Sequence, residues 1–204
     1  MTPPAPPTLP DDRLADWRRV ERTTDHPFEM GPVSVTATTV VYEDERLRRR
    51  LRETTDVDEQ WRFFFASRLA VSPTTPPSGP LRRLVSDRAR HGFRERLRDR
   101  GFESPEERDR RTIRIDGTEA DVTAYDATCQ LGGVRLSVVG WLAVWPDGSE
   151  FLLAGGAYPT AVVETGAAAR GDDTTKETDT DRLAEHLTPD EFRDDLFALI
   201  RATR

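Results

Sequence analysis

Lysine is almost missing from this chain: of its 30 basic residues, only Lys176 is not an arginine. Cysteine occurs once, as Cys129, which excludes an intramolecular disulfide and a cysteine-built metal centre. The three histidines, His26, His91 and His186, lie far apart with no second histidine or cysteine at ligand spacing, so no metal site is expected. No apolar run approaches the roughly 18 residues of a membrane span. The opening MTPPAPPTLPDD has neither the basic nor the apolar region of a signal peptide, so a cytoplasmic protein without membrane contact is expected. There is no G-x-S-x-G elbow and no phosphate-cradling glycine loop.

What remains is a chain of 204 residues, 36% hydrophobic and 33% charged, with nine Phe and four Trp. That aromatic content is too high for a disordered chain and points to a globular domain with polar appendages. The net charge of −7 is unevenly spread: about −2 over 1–81, +5 over 82–114 and −10 over 115–204. Arginine in place of lysine reads as the mark of a GC-rich genome. The acidic excess suggests a salt-loving host, where a Debye length of about 3 Å at molar salt lets like charges crowd a surface.

Residues 1–12 contain five prolines and read as a disordered, solvated arm. Trp17–Thr23 fits a short strand, and Val33–Tyr42 alternates as a half-buried one. Residues 44–53 fit a two-turn surface helix, too charged for the core. Trp61–Val71 is apolar on both faces, the pattern of an interior strand. The clearest helix follows, with Pro80 near its first turn, Leu81, Val85, Phe93 and Leu97 on one stripe, and Gly101 past its end. Strands at 111–115, 120–128, 134–145 and 150–157 form a meander, turned at Asp116-Gly117, Gly132-Gly133 and Asp147-Gly148. Residues 165–181 read as a disordered acidic linker, and a last helix starts at Thr188, with Glu191 at capping-box spacing. The fold class expected is α+β: a globular domain over 13–164, an antiparallel sheet of about six or seven strands covered by the central helix, and the C-terminal helix of 182–204 packed on it.

Candidate chemistry is sparse. Nothing local lowers the pKa of Cys129, and Asp121 and Asp126, flanking one strand, would need a dry cleft to act as acid and base. The arginines crowding 46–52 and 82–100 could track phosphates, but acids punctuate both runs and the aromatics sit on interior strands. Nucleic acid is therefore not expected, and pairing with the acidic C-terminal part is. A pocket at the end of the sheet could be rimmed by Tyr125, Trp141, Gly155, Gly156 and Tyr158.

WRFFFASRL, the arginine-rich helix, GWLAVWPDG and FLLAGGAYP resemble uncharacterised small haloarchaeal proteins, over most of residues 15–160. The element order is also distantly similar to the Mog1/PsbP-like α/β/α sandwich, a resemblance that implies a binding or assembly module. The expected function is thus a non-enzymatic soluble module for a protein partner or a second copy of itself, without a cofactor. The alternative is a small-ligand protein or cofactor-free enzyme using the pocket above.

Overall fold

The computed structural model describes residues 3–30, 33–55, 58–131, 133–163 and 182–204. The seven strands are β1 (Trp17–Met30), β2 (Val33–Asp44), β3 (Phe63–Ser72), β4 (Phe102–Ile115), β5 (Thr118–Leu131), β6 (Val134–Asp147) and β7 (Glu150–Val162). They make one antiparallel sheet in the order β1-β2-β3-β7-β6-β5-β4. The helices are α1 (Glu45–Thr55), α2 (Gly79–Asp99) and α3 (Pro189–Ala202). The β4–β7 meander folds back so that β7 pairs with β3, which places β3, β7 and β6 in the interior and accounts for their two-sided apolarity.

Turn chemistry sets the hairpins. Asp116 and Gly117, at φ 49° and 81°, form a two-residue loop between paired Ile115 and Thr118. In the last hairpin Asp147 pairs with Glu150, so the loop is Gly148-Ser149, one residue beyond the expected position. β4 starts nine residues earlier than its sequence predicts. It is an edge strand with mostly exposed, charged residues, so it carries no apolar alternation to read. β1, the other edge, likewise runs on to Met30 rather than stopping at Thr23.

The sheet curves around α2. Phe63 and Phe102 open strands four places apart, about 19 Å in a flat sheet, yet their ring centroids lie 6.1 Å apart. Phe93 of α2 stacks on Phe65 of β3 and meets Tyr125 of β5 edge-on. On the opposite face Phe197 of α3 meets Trp141 edge-on at 5.0 Å. The proline-rich arm packs too, contrary to its solvated expectation. Pro4 and Pro7 are buried, the Thr38 hydroxyl donates to the Pro4 carbonyl at 2.8 Å, and Thr8 and Arg204 exchange backbone hydrogen bonds. Thr38 is buried on β2 and needs this acceptor. The predicted linker over 165–181 lies outside the described residues.

One buried cation ties the convex side together. Arg62, 3% exposed, donates to Asp44 Oδ2 at 3.0 Å and to the Phe192 carbonyl at 2.9 Å. Its guanidinium lies between the Trp17 and Phe192 rings, 4.8 and 4.9 Å from their centroids. The other oxygen of Asp44 accepts from Leu47 N at 2.8 Å and caps α1. That anchorage explains why α1, expected only at the surface, buries Leu47 and Leu51 while its arginines turn outward or pair, Arg48 with Glu43 and Asp58. The Thr188 side chain makes no cap; the first turn of α3 closes through Phe192 N to the Thr188 carbonyl.

Arg62→Ala is expected to cost about 3–5 kcal/mol in urea unfolding, because it leaves the Asp44 carboxylate buried without its cation. Burial holds the Asp44 carboxyl above its ordinary range, against the pull of Leu47 N–H and Arg62. The folded state therefore holds this proton more tightly than the unfolded chain, and Asp44 contributes less stability as pH rises through its folded pKa. Asp44→Asn should remove that component on the alkaline side of the ordinary carboxylate range; an unchanged pH profile would show that Asp44 titrates normally.

Candidate functional site

The five residues expected to rim one pocket fall on two faces. Trp141, Gly156 and Tyr158 lie together on the α3 side, where Trp141 Nε1 donates to Tyr158 Oη at 3.1 Å. Phe197 sits on Trp141, Phe192 on Tyr158, and a Leu196 methyl lies 3.1 Å from where a Gly156 Cβ would be, so side chains fill this side. Tyr125 and Gly155 belong to the α2 side, against Phe93 and Phe65. The sheet separates the two groups, because alternate residues of a strand face opposite ways. Both glycines serve close backbone approach: a Cβ on Gly155 would lie 2.1 Å from the Trp141 carbonyl oxygen, and one on Gly156 the same distance from that of Phe63.

A cavity of about 180 Å³ opens elsewhere, between α2 and the β1–β2–β3 end of the sheet. Ala37 and Thr39 of β2 and Phe65, Ser67 and Leu69 of β3 form its floor, with Leu142 and Leu153 at the back. Val85, Ala89, Gly92 and Phe93 of α2 make one wall, and Phe28 of β1 faces them. On the floor the Thr39 and Ser67 hydroxyls are hydrogen-bonded to each other at 2.7 Å, both residues buried. Two arginines lie over rings that line the groove: Arg88 is 5.8 Å from the Phe28 centroid and Arg96 is 6.0 Å from that of Phe65. Two acids complete the rim: Asp25, which is exposed, and Glu95, which meets His91 Nε2 at 3.2 Å.

The sequence contained a signal for this groove that periodicity alone does not weigh. Ala37, Ser67, Ala89 and Gly92 are small, and where small residues from two packed layers face each other the space between them is left unfilled. Other candidates do not converge. Asp121 bonds Ser86 of α2 at 2.8 Å, whereas Asp126 pairs with Arg108 at 3.0 Å. His26 meets Thr36 at 3.2 Å and His186 meets Thr54 at 3.3 Å. Among the described residues, Arg90 of α2 pairs with Asp87, and Arg100, just past the end of α2, pairs with Glu21 of β1. No cluster of three metal-ligating side chains occurs among the described residues, and no helix among them is long and apolar enough to cross a membrane.

The family described as a domain of unknown function (DUF6517) matches residues 6–204, from the packed arm to the end of α3. The chain belongs to this family. The match spans the curved sheet, the groove and the helices on both faces. No curated protein matches the chain.

Three variants test this geometry. Gly155→Ala or Gly156→Ala should abolish folding or cost more than about 4 kcal/mol, since a neighbouring backbone must move. Gly140→Ala, whose Cβ would meet Phe93 and Leu97 at an ordinary 3.4 Å, should cost about 1 kcal/mol or less. The Tyr125 phenol is pushed up to about 12, chiefly by burial, and its hydroxyl has no hydrogen-bond partner among the described residues. The folded state thus holds the phenol proton more tightly than the unfolded chain, and stability should fall from about pH 10 to 12. Tyr125→Phe should lessen that fall without destabilising the protein at neutral pH. The Cys129 thiol is likewise pushed up to about 11 by burial. At about pH 8 a disulfide reagent should react with it only after urea unfolding; prompt reaction of one equivalent would show an accessible thiol.

Proposed function

We propose that this protein is a binding module that holds a small, largely apolar molecule in the groove between α2 and the β1–β2–β3 end of the sheet. The cavity of about 180 Å³ carries this reading. A cavity near 150 Å³ lined by aliphatic and aromatic side chains accommodates benzene, so one ring with a short substituent fits here. The floor also offers a polar point. Each hydroxyl of the Thr39–Ser67 pair brings one proton, and their mutual bond uses only one of the two. The second proton has no acceptor among the described residues, which favours a ligand with an oxygen or nitrogen acceptor at its inner end. Apolar walls with one placed polar group are the usual make-up of a small-molecule site.

The reading as a module for a protein partner draws less support from the surface. Val20, at 40%, is the exposed large hydrophobic residue among the described ones, far short of an apolar patch. Layering of helices on both faces of the sheet fits the distant likeness to Mog1/PsbP-like sandwiches and is compatible with either occupant. Ala89→Leu is the test, because it fills the groove from the α2 wall. Ligand-observed NMR with ring-sized fragments should give saturation transfer with the wild-type protein and none with Ala89→Leu, while the variant stays folded. Fragments that bind both proteins equally would place binding elsewhere, and an absence of binding to either would sink the proposal.

A further inference from the structure

The geometry points to a small aryl or branched-alkyl carboxylate as the ligand, its acid group held at the groove mouth by Arg88 or Arg96. This rests on the groove reading above. These two are the arginines that line the cavity, and neither has a carboxylate partner among the described residues. Each guanidinium lies over the face of a ring that is itself part of the lining. Contact with a ring takes up none of a guanidinium's N–H donors, whose fork a carboxylate can accept two at a time.

The acids at the rim are placed differently. Glu95 is already engaged by His91, and both side chains are more than half exposed; Asp25 is exposed on β1. They lie toward water, where opposing charge is strongly screened. Arg88 and Arg96 are eight residues apart on α2, a rise of about 12 Å. One therefore stands toward each end of the groove, and an acid met at one end leaves the apolar body of the ligand along the floor. One ring and a one-carbon carboxylate tail match the volume, which makes phenylacetate a suitable probe.

Titration calorimetry of the full chain at about 0.15 M salt with phenylacetate, phenylacetamide and benzylamine tests the inference. Phenylacetate should bind about tenfold more tightly than the isosteric amide. The Arg88→Gln, Arg96→Gln double variant should lower the affinity for phenylacetate to that for the amide and leave the amide unchanged; the single variants identify the arginine that makes the contact. Both arginines are exposed or half-exposed, so the variants should keep the wild-type melting temperature within a few degrees. Equal affinity for acid and amide, or a preference for the amine, would overturn the carboxylate assignment while leaving the groove a binding site. Failure of all three probes, together with failure of the neutral fragments, would remove both.

Discussion

A sheet that is apolar on both faces must be covered twice, and on its concave side one helix, α2, does it among the described residues. α2 leaves β3 and delivers the chain to β4 at the far edge, so it must lie across the strands between them. The sheet accommodates it by curving until Phe63 and Phe102 touch. Phe93 and Leu97 then fill the centre against Phe65, Tyr125 and Gly140. β1 and β2 lie beyond the other side of β3, outside that crossing. Phe28 and the small side chains there close part of the remaining gap, and the groove is what they leave. The cavity is thus a consequence of topology: one helical diameter of about 10 Å cannot cover a seven-stranded trough.

The convex side is sealed by a different means. α3 covers β7 and β6, the arm covers β2, and the reciprocal bonds of Thr8 with Arg204 join the two ends of the chain there. Arg62 is the internal fastening, because it touches the start of β1, the end of β2 and α3 at once. The sheet edges are blunted as well. β1 carries Pro27 and two register shifts, and β4 carries Pro105, two register shifts and a mainly charged, exposed sequence. Such edges resist pairing with another strand.

Much of this was legible in the sequence. Alternation fixed β2, two-sided apolarity marked β3 and β6 as interior, and the glycine turns gave the meander. Pro80 and Gly101 bounded α2, whose N-cap in the structure is Ser78. What escaped depended on partners distant in sequence. The first half of β4 is charged because it is an edge, and a strand is recognisable by pattern only where one face is buried. Leu47 and Leu51 gave too weak a signal for a core helix until Asp44 and Arg62 supplied the anchor. The rim residues Tyr125 and Trp141 were grouped because both are large aromatics in the meander. Their separation by the sheet depends on strand parity, which can be counted only once the register between β5 and β6 is known: Tyr125 pairs with Gly140 and Ala124 with Trp141. The groove escaped because an unfilled space is a property of facing layers, not of any one segment.

The scarcity of lysine has a structural counterpart. Seven arginines, at 62, 88, 96, 100, 108, 111 and 201, lie over aromatic rings at 4.8 to 6.0 Å from the centroids. A flat, delocalised guanidinium covers a ring and still offers edge donors, whereas an ammonium is compact and keeps its water. Around Phe197 and Trp141 this makes a charged cover over buried rings, and at Arg62 it lets a buried cation lie against the Trp17 and Phe192 rings while donating to Asp44 and the Phe192 carbonyl. Composition biased toward arginine therefore supplied the residue that this aromatic-rich, curved sheet can use at its rims. The same property that covers rings on the convex face places the Arg88 and Arg96 guanidiniums over Phe28 and Phe65, two rings that line the concave groove.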